Sequence, residues 1–557
     1  MESDVEPSLK SPPLSAPVAE APQKNRRTIP FHPVLLALYP VMALLSRNFT
    51  QTPIQQSLRT FGIAAAVGMG LWAVILIFVH NLRKAAILAS TAILLVFTYG
   101  HILNLTPESV HPIVGPICVL LLIAVAAATI KTRQPLFDTT AALNLMAFTL
   151  TGMSAYTIVD QARHHHPQIV RAGAGAPVAA VAGVHRKLGV PEKKAPDVYY
   201  IVLDAYGRAD RLQQFFGYDN SAFIAELKKR GFYVAENSGA NYDQTPLCLS
   251  SCLSMAYLDA KSMDLSPEGL RKLTDDSAVA QILQDHGRHY INVWSGLEVS
   301  RVETAETVLN NNADLNAFEK QALEMSVMVR SKKIQHSLYD THRTRINGVF
   351  DCLTKAAELP GPKFVFAHAL SPHPPFVFGP SGESVDPAGT YSLADGSWLL
   401  ANISQQDYIR GYTGQLQYVN KRVLQAIDSI LAKSKVRPII ILQGDHGSRM
   451  TVDWDSQKRT DLREAFSIFN AYLVPDSVRE KLYPTISPVN SFRVVLSTLF
   501  DVKLPLLKDK SYYSTAEHMD RFSDVTDLIP NATGPEEKAE HATPGNAALD
   551  AATHGIH

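Results

Sequence analysis

The chain has 557 residues, with 52 Lys and Arg balanced by 52 Asp and Glu. It is too long for one ordinary domain, and its zero net charge gives no bulk positive field for holding nucleic acid. Its 4 cysteines are too few for a disulfide scaffold.

Residues 1–29 are polar and Pro-rich and carry Lys24, Arg26 and Arg27 near their end. They lack the apolar core of a cleavable signal, and their composition predicts a disordered cytoplasmic tail. Residues 30–160 form a predicted transmembrane domain with uncharged stretches at about 30–46, 62–82, 85–104, 110–130 and 139–159. Most are long enough to cross ~30 Å of hydrocarbon at ~1.5 Å per residue. The first is short and is interrupted by Pro33 and Pro40.

Basic residues orient the spans. With the amino terminus inside, the inner segments hold Lys24, Arg26, Arg27, Arg83, Lys84, Lys131 and Arg133, and the outer loops hold only Arg47 and Arg59. Five crossings then put everything after Asp160 outside the cytoplasm. Residues 161–196, with His164, His165, His166 and many Ala and Gly, read as a tether in which adjacent histidines have no specific role.

Residues 197–525 alternate β-rich runs with amphipathic segments. Strands are predicted at 198–203, 289–294, 363–367, 437–442 and 466–473. Helices are predicted at 220–230, 276–286, 317–330, 405–432 and 490–499, the first with Asp219 or Asn220 as N-cap and Gly231 as its stop. This alternation predicts an α/β domain with a mostly parallel sheet. Residues 526–557 are Ala-, Gly-, Glu- and His-rich and read as a second disordered tail.

Chemistry concentrates where the predicted strands end. Val198–Leu203 runs into Asp204, and Pro438–Leu442 runs through Gln443 and Gly444 into Asp445, His446 and Gly447. Carboxyl ends of parallel strands are where α/β proteins build their sites, and two carboxylates with an imidazole suit a hard-to-borderline cation. Thr245 precedes Pro246 at the start of a small, apolar stretch that reads as a helix. A helix amino terminus offers free N–H groups to an anion, which makes Thr245 a candidate nucleophile. Ser250, Ser251 and Ser254 are the other hydroxyls in that segment. The strand at 364–367 leads into a Pro-flanked loop with His368 and His373, candidates for stabilising a transferred group or protonating its leaving group. Cys118, Cys248, Cys252 and Cys352 read as structural.

In this order the segments resemble the alkaline phosphatase/sulfatase superfamily over roughly 197–515. The resemblance is closest to its membrane-anchored sulfatase-like branch, which includes lipoteichoic-acid synthases and phosphoethanolamine transferases. The run Gly411-Tyr412-Thr413-Gly414-Gln415-Leu416-Gln417-Tyr418-Val419-Asn420 adds to it. The resemblance implies about five transmembrane helices ahead of a catalytic domain on the periplasmic side of a bacterial inner membrane. It implies one divalent ion, Zn, Mn or Mg with Ca fitting less well, held by Asp204, Thr245, Asp445 and His446. It implies Thr245 as nucleophile, assisted by His373 or His368, with a membrane lipid as donor or acceptor. Transfer of a phospholipid head group through a phospho-threonine is the expected reaction. A sulfate-ester hydrolase and a catalytically silent envelope protein are the alternatives. The cysteines do not fit the Cys-x-Pro-Ser-Arg pattern of sulfatases, and Asp204 is followed by Ala205 where sulfatases tend to pair carboxylates. Asp204 also stands where the transferases usually carry Glu.

Overall fold

The structure, a computed structural model, describes residues 28–47, 54–106, 110–164, 195–310, 317–387, 390–500 and 502–529. Most of the first tail, most of the tether and the terminal residues lie outside them. The chain divides into two units, the first made of residues 1–47 and 58–159 and the second of 48–57 and 160–557.

Charge-free Leu-, Ile-, Ala- and Val-rich runs satisfy their backbone groups internally, and five of them form helices. These are α1 (His32–Arg47), α2 (Ile54–Val79), α3 (Leu82–Asn104), α4 (His111–Lys131) and α5 (Phe137–His164). Helices α2 to α5 each contain a segment long and apolar enough to cross a membrane, and α1 is a shorter apolar helix of 16 residues. At ~1.5 Å per residue α1 spans only about 24 Å. Its amino terminus is capped from α5. Asn144 Oδ1 accepts from the Phe31 and His32 N–H groups at 3.1 and 3.0 Å, and Asn144 Nδ2 donates to the Ile29 carbonyl at 2.9 Å. His32 Nδ1 also lies 2.6 Å from Ser90 Oγ on α3. These bonds satisfy backbone groups that a helix start inside an apolar unit would otherwise leave unpaired. Helix α5 runs on to His164, so the first residues assigned to the tether are helical.

The second unit is built on a seven-stranded sheet in the order β2-β7-β6-β1-β5-β3-β4. The strands are β1 (Val198–Leu203), β2 (Tyr233–Val234), β3 (His289–Val293), β4 (Thr307–Leu309), β5 (Lys363–Ala369), β6 (Ile439–Gly444) and β7 (Asn470–Leu473). Strands β6, β1, β5, β3 and β4 are parallel, while β7, next to one edge, pairs antiparallel with both β6 and the edge strand β2. Central strand β1 is buried on both faces, as its unbroken apolar run demands. Tyr199, Ile201 and Leu203 pack under the helices Lys332–Glu358 and Gln405–Lys433. Val198, Tyr200 and Val202 pack under the helices Thr245–Ser254, Ala278–Asp285 and Pro488–Leu499. The result is a three-layer α/β domain.

Several boundaries differ from the sequence reading. The segment 317–330 divides into a helix Ala317–Glu324 and a 3-10 turn Val327–Arg330, because the Ser326 hydroxyl caps Met328 N–H at 3.2 Å. The strand expected at 466–473 begins at Asn470, since Leu462–Phe466 is helical. The 27-residue helix Lys332–Glu358 was not anticipated. Residues assigned to the second tail begin with a 3-10 turn, Thr526–Leu528, next to a small antiparallel pair of residues 512–513 and 523–524.

Candidate metal centre and nucleophile

Parallel registry assembles the site. Leu203 is level with Ala369 of β5 and Gly444 of β6, so the residues that follow β1 and β6 emerge side by side at one edge. Asp204, Asp445 and His446 meet there, with one ligand atom from each inside a 4.8 Å cluster. His446 Nε2 lies 3.3 Å from Asp204 Oδ1, 3.3 Å from Asp445 Oδ2 and 3.0 Å from Thr245 Oγ1. The structure thus brings together all four residues predicted as ligands.

Three observations fit a cation to this cluster. His446 Nδ1–H donates to its neighbour's carbonyl, Gly447 O, at 2.9 Å. That bond fixes the tautomer and leaves the Nε2 lone pair toward the cluster. Asp204 Oδ1 and Asp445 Oδ2 are buried and accept no hydrogen bond from any described residue. Such orphaned carboxylate oxygens are costly unless a cation takes them up. Finally, ligand atoms about 2.0 Å from a tetrahedral ion lie about 3.3 Å apart, which is the separation seen around His446 Nε2. The other oxygen, Asp445 Oδ1, is anchored by the Ala205 and His446 N–H groups at 3.1 and 3.0 Å.

Thr245 is the first residue of its helix, preceded by Gln244 and followed by Pro246. The hydroxyls of Ser250 and Ser251 are engaged elsewhere. Ser250 Oγ donates to Leu270 O at 2.9 Å and Ser251 Oγ to Ala256 O at 2.7 Å. Cys248 Sγ donates to Tyr242 O, and Cys252 sits in the core against Tyr200. Neither cysteine joins the cluster.

The two candidate histidines occupy different places. His368, wholly buried near the end of β5, has its Nε2 3.5 Å from Asp204 Oδ2 and so backs that carboxylate. His373 N–H donates to Asp204 O at 3.0 Å, which ties its loop to the end of β1. Its ring is held twice, with Nδ1 donating to Pro374 O at 2.6 Å and Nε2 to Asp395 Oδ2 at 3.0 Å. A carbonyl and an ionised carboxylate only accept, so both ring nitrogens carry hydrogen and His373 is a cation. Burial works against that charge, but Asp204 and Asp395 outweigh it and push His373 up to about 9. Burial likewise opposes ionisation of Asp204, yet the charge of His373 and the His368 ring hold its carboxyl well below the usual range.

Arg449, Asp395 and Asp243 escaped the sequence reading. Arg449 Nη1 donates to Asp395 Oδ2 at 2.9 Å, and Nη2 donates to the Asp243 carbonyl, two residues before Thr245. The Asp243 side chain is buried, which pushes it up to about 7 despite the nearby Arg449 charge. Arg449 lies three residues beyond His446 and was within reach of inspection. Asp395 follows no motif.

One helix, Gln405–Lys433, holds three of the site loops. Tyr408 O–H donates to Ser448 O at 2.9 Å, and Tyr412 O–H to Ala205 O at 2.7 Å. Gln415 Nε2 donates to His373 O at 3.0 Å, while its Oε1 accepts from Val377 N–H at 2.8 Å. This gives a structural meaning to the Gly411–Asn420 run.

No protein-family model and no curated protein matches the chain. Among solved structures, it is similar to the C-terminal periplasmic domain of EptC from Escherichia coli, with 12% identity over 61% of this chain and 96% of that one and a TM-score of 0.39. It is similar to the integral membrane lipooligosaccharide phosphoethanolamine transferase EptA from Neisseria meningitidis, with 12% identity over 84% and 95% of the two chains and a TM-score of 0.36. It is also similar to a 2-O GAG sulfatase, with 12% identity over 61% and 76% and a TM-score of 0.36.

Proposed function

We propose that this protein is a membrane-anchored, divalent-metal-dependent enzyme that transfers a phosphate-linked head group through a covalent phospho-Thr245. The observation that carries the reading is the position of Thr245 Oγ1, 3.0 Å from His446 Nε2 and at the start of a helix beside two orphaned carboxylate oxygens. A nucleophile in that place is both activated and aimed.

Asp204, Asp445, His446 and the Thr245 oxygen would hold the ion, which when bound supplies positive charge that acidifies a hydroxyl and offsets phosphoryl charge. Zn, Mn and Mg all accept such donors. Thr245 Oγ1 forms its bond to phosphorus as the bond from phosphorus to the donor's alcohol oxygen breaks, and the Thr245 proton ends on the released alcohol. Free N–H groups at the helix start stabilise the phosphoryl oxygens. His373 contributes a fixed cation beside Asp204. An acceptor alcohol or water then attacks the phosphorus and restores the Thr245 hydroxyl.

The donor class in this reading is a membrane phospholipid, the setting a bacterial inner membrane, and the catalytic side periplasmic. A sulfatase reaction is disfavoured by the engagement of Cys248 and Cys252 away from the cluster. The deciding experiment is mass spectrometry of the full chain after incubation with vesicles of phosphatidylethanolamine and phosphatidylglycerol. The expected result is an adduct on Thr245 whose mass identifies the head group. A chain that turns over a phosphodiester with no adduct at Thr245 overturns the covalent mechanism.

A further inference from the structure

Beyond the ligand cluster lies a second buried polar system. Asp395 precedes the short helix Gly396–Leu400, and its Oδ2 receives two hydrogen bonds, from His373 Nε2 at 3.0 Å and from Arg449 Nη1 at 2.9 Å. One anionic oxygen therefore joins two cations, and all three residues are less than a tenth exposed.

The frame around this oxygen is rigid. Trp454 Nε1–H donates to Asp395 O at 3.3 Å, and the Arg449 guanidinium lies over the Trp454 ring, 4.9 Å from its centre. Arg449 has a φ of +62°, a left-handed conformation that a residue with a long side chain rarely adopts. The turn is pinned by the buried Glu464 carboxylate, which accepts from Met450 N–H at 2.8 Å and from Thr451 N–H at 2.9 Å. Backbone strain held in this way is typical of functional sites. Arg449 also bonds the carbonyl of Asp243, and His373 N–H bonds that of Asp204, so both cations are tied to segments carrying the proposed nucleophile and ligands. Arg449 Nε is buried and without a hydrogen-bond partner among the described residues.

Two cations sharing one anion leave a net positive charge in a dry setting. Fixed charge of that sign beside the nucleophile complements an anionic phosphoryl group, provided that the cations do not move when the group arrives. A guanidinium and an imidazolium would repel each other if the carboxylate between them were removed.

We propose that Asp395 is a positioning residue: its shared oxygen fixes Arg449 and His373 side by side next to the Thr245 cluster for an anionic phosphoryl group. The assignment rests on the phosphoryl-transfer reading above and gives it two charged partners that are not metal ligands.

The test uses the full chain in nanodiscs, loaded with Zn, turning over bis(p-nitrophenyl) phosphate. In Asp395→Asn the side chain keeps its size and loses its charge. The expected result is a kcat lower by about 10²-fold, the scale of a misplaced catalytic group, with KM and bound metal nearly unchanged. Asp395→Glu should recover part of the loss. If the Asn variant does not fold, Asp395→Asn combined with Arg449→Gln removes the anion together with one of its cations, and the same kcat loss is expected. A kcat within about threefold of wild type in the folded variant overturns the proposal, because a positioned charge is worth more than that. A fall in kcat that only tracks a lower melting temperature or lost metal overturns it as well. Nitrogen-15 spectra of the His373 ring, assigned with His373→Gln, give a reading independent of turnover. Wild type should show an Nε2–H resonance shifted by its hydrogen bond to Asp395, and Asp395→Asn should move that resonance. If wild type neither turns over nor forms the adduct, the phosphoryl-transfer reading fails, and the ring spectra still decide whether Asp395 holds His373.

Discussion

At the residue scale the site separates one hydroxyl from its neighbours. Thr245→Ala should abolish turnover, with kcat lower by at least about 10³-fold, since among the described residues Thr245 supplies the hydroxyl bonded to His446 Nε2. Ser250→Ala and Ser251→Ala remove hydroxyls bonded to Leu270 O and Ala256 O and should keep most of the activity. Steady-state kinetics on one phosphodiester distinguishes the three variants, and a live Thr245→Ala beside a dead serine variant would move the nucleophile. Asp445→Asn should lower bound Zn by elemental analysis while the protein stays folded. The variant replaces one orphaned anionic oxygen with a neutral amide, which weakens the hold on a dication. Equal metal in the variant and wild type would remove Asp445 from the ligand set. Thr245, Asp204, Asp445 and His446 were legible in the sequence because each sits at the end or start of a strongly patterned element. Asp395 was not, because its partners, His373 and Arg449, come from other loops and only tertiary folding brings them together.

At the element scale, legibility follows periodicity. Strands β1, β5 and β6 have apolar runs buried on both faces, and their positions were readable within a few residues. Strands β2 and β4 have two and three residues, too few to show a period. The helix Lys332–Glu358 hid behind a polar composition, although it buries Leu338, Ile346, Val349, Phe350 and Leu353 along one side. Glycine at the end of β6 is required by close approach, since a Cβ on Gly444 would run into the backbone oxygen of Tyr206. Gly444→Ala should therefore cost about 1–3 kcal/mol of stability through overpacking. It should also disturb the placement of Asp445 and His446. Thermal unfolding with and without Zn measures both effects, and an unchanged melting temperature would show that the strand end can shift without penalty.

At the scale of the whole molecule, the two units pose the question of sidedness. Seven inner basic residues against two outer ones predict that the second unit lies outside the cytoplasm, provided that α1 crosses. Helix α1 is shorter than the other four, and its sunken start is held by Asn144, which explains how a span interrupted by Pro40 can belong to the bundle. A reporter enzyme active only outside the cytoplasm, fused near Lys187, should be active, and a silent fusion alongside an active cytoplasmic reporter would reverse the orientation and the periplasmic setting.

The strand order carries a consequence for biosynthesis. Strand β1 is the first of the domain to be made, but it is clamped between β5 and β6, which follow it by well over a hundred residues. Closing such long loops is slow and depends on the later partners. Asp204 must therefore leave the ribosome long before Asp445 and His446 exist to meet it, and a nascent chain cut between Thr245 and Pro438 has half of the proposed ligand set and an open sheet edge. In the proposed reading metal capture thus belongs to the end of synthesis, and a stalled or truncated chain exposes β-rich, aggregation-prone strands to its surroundings.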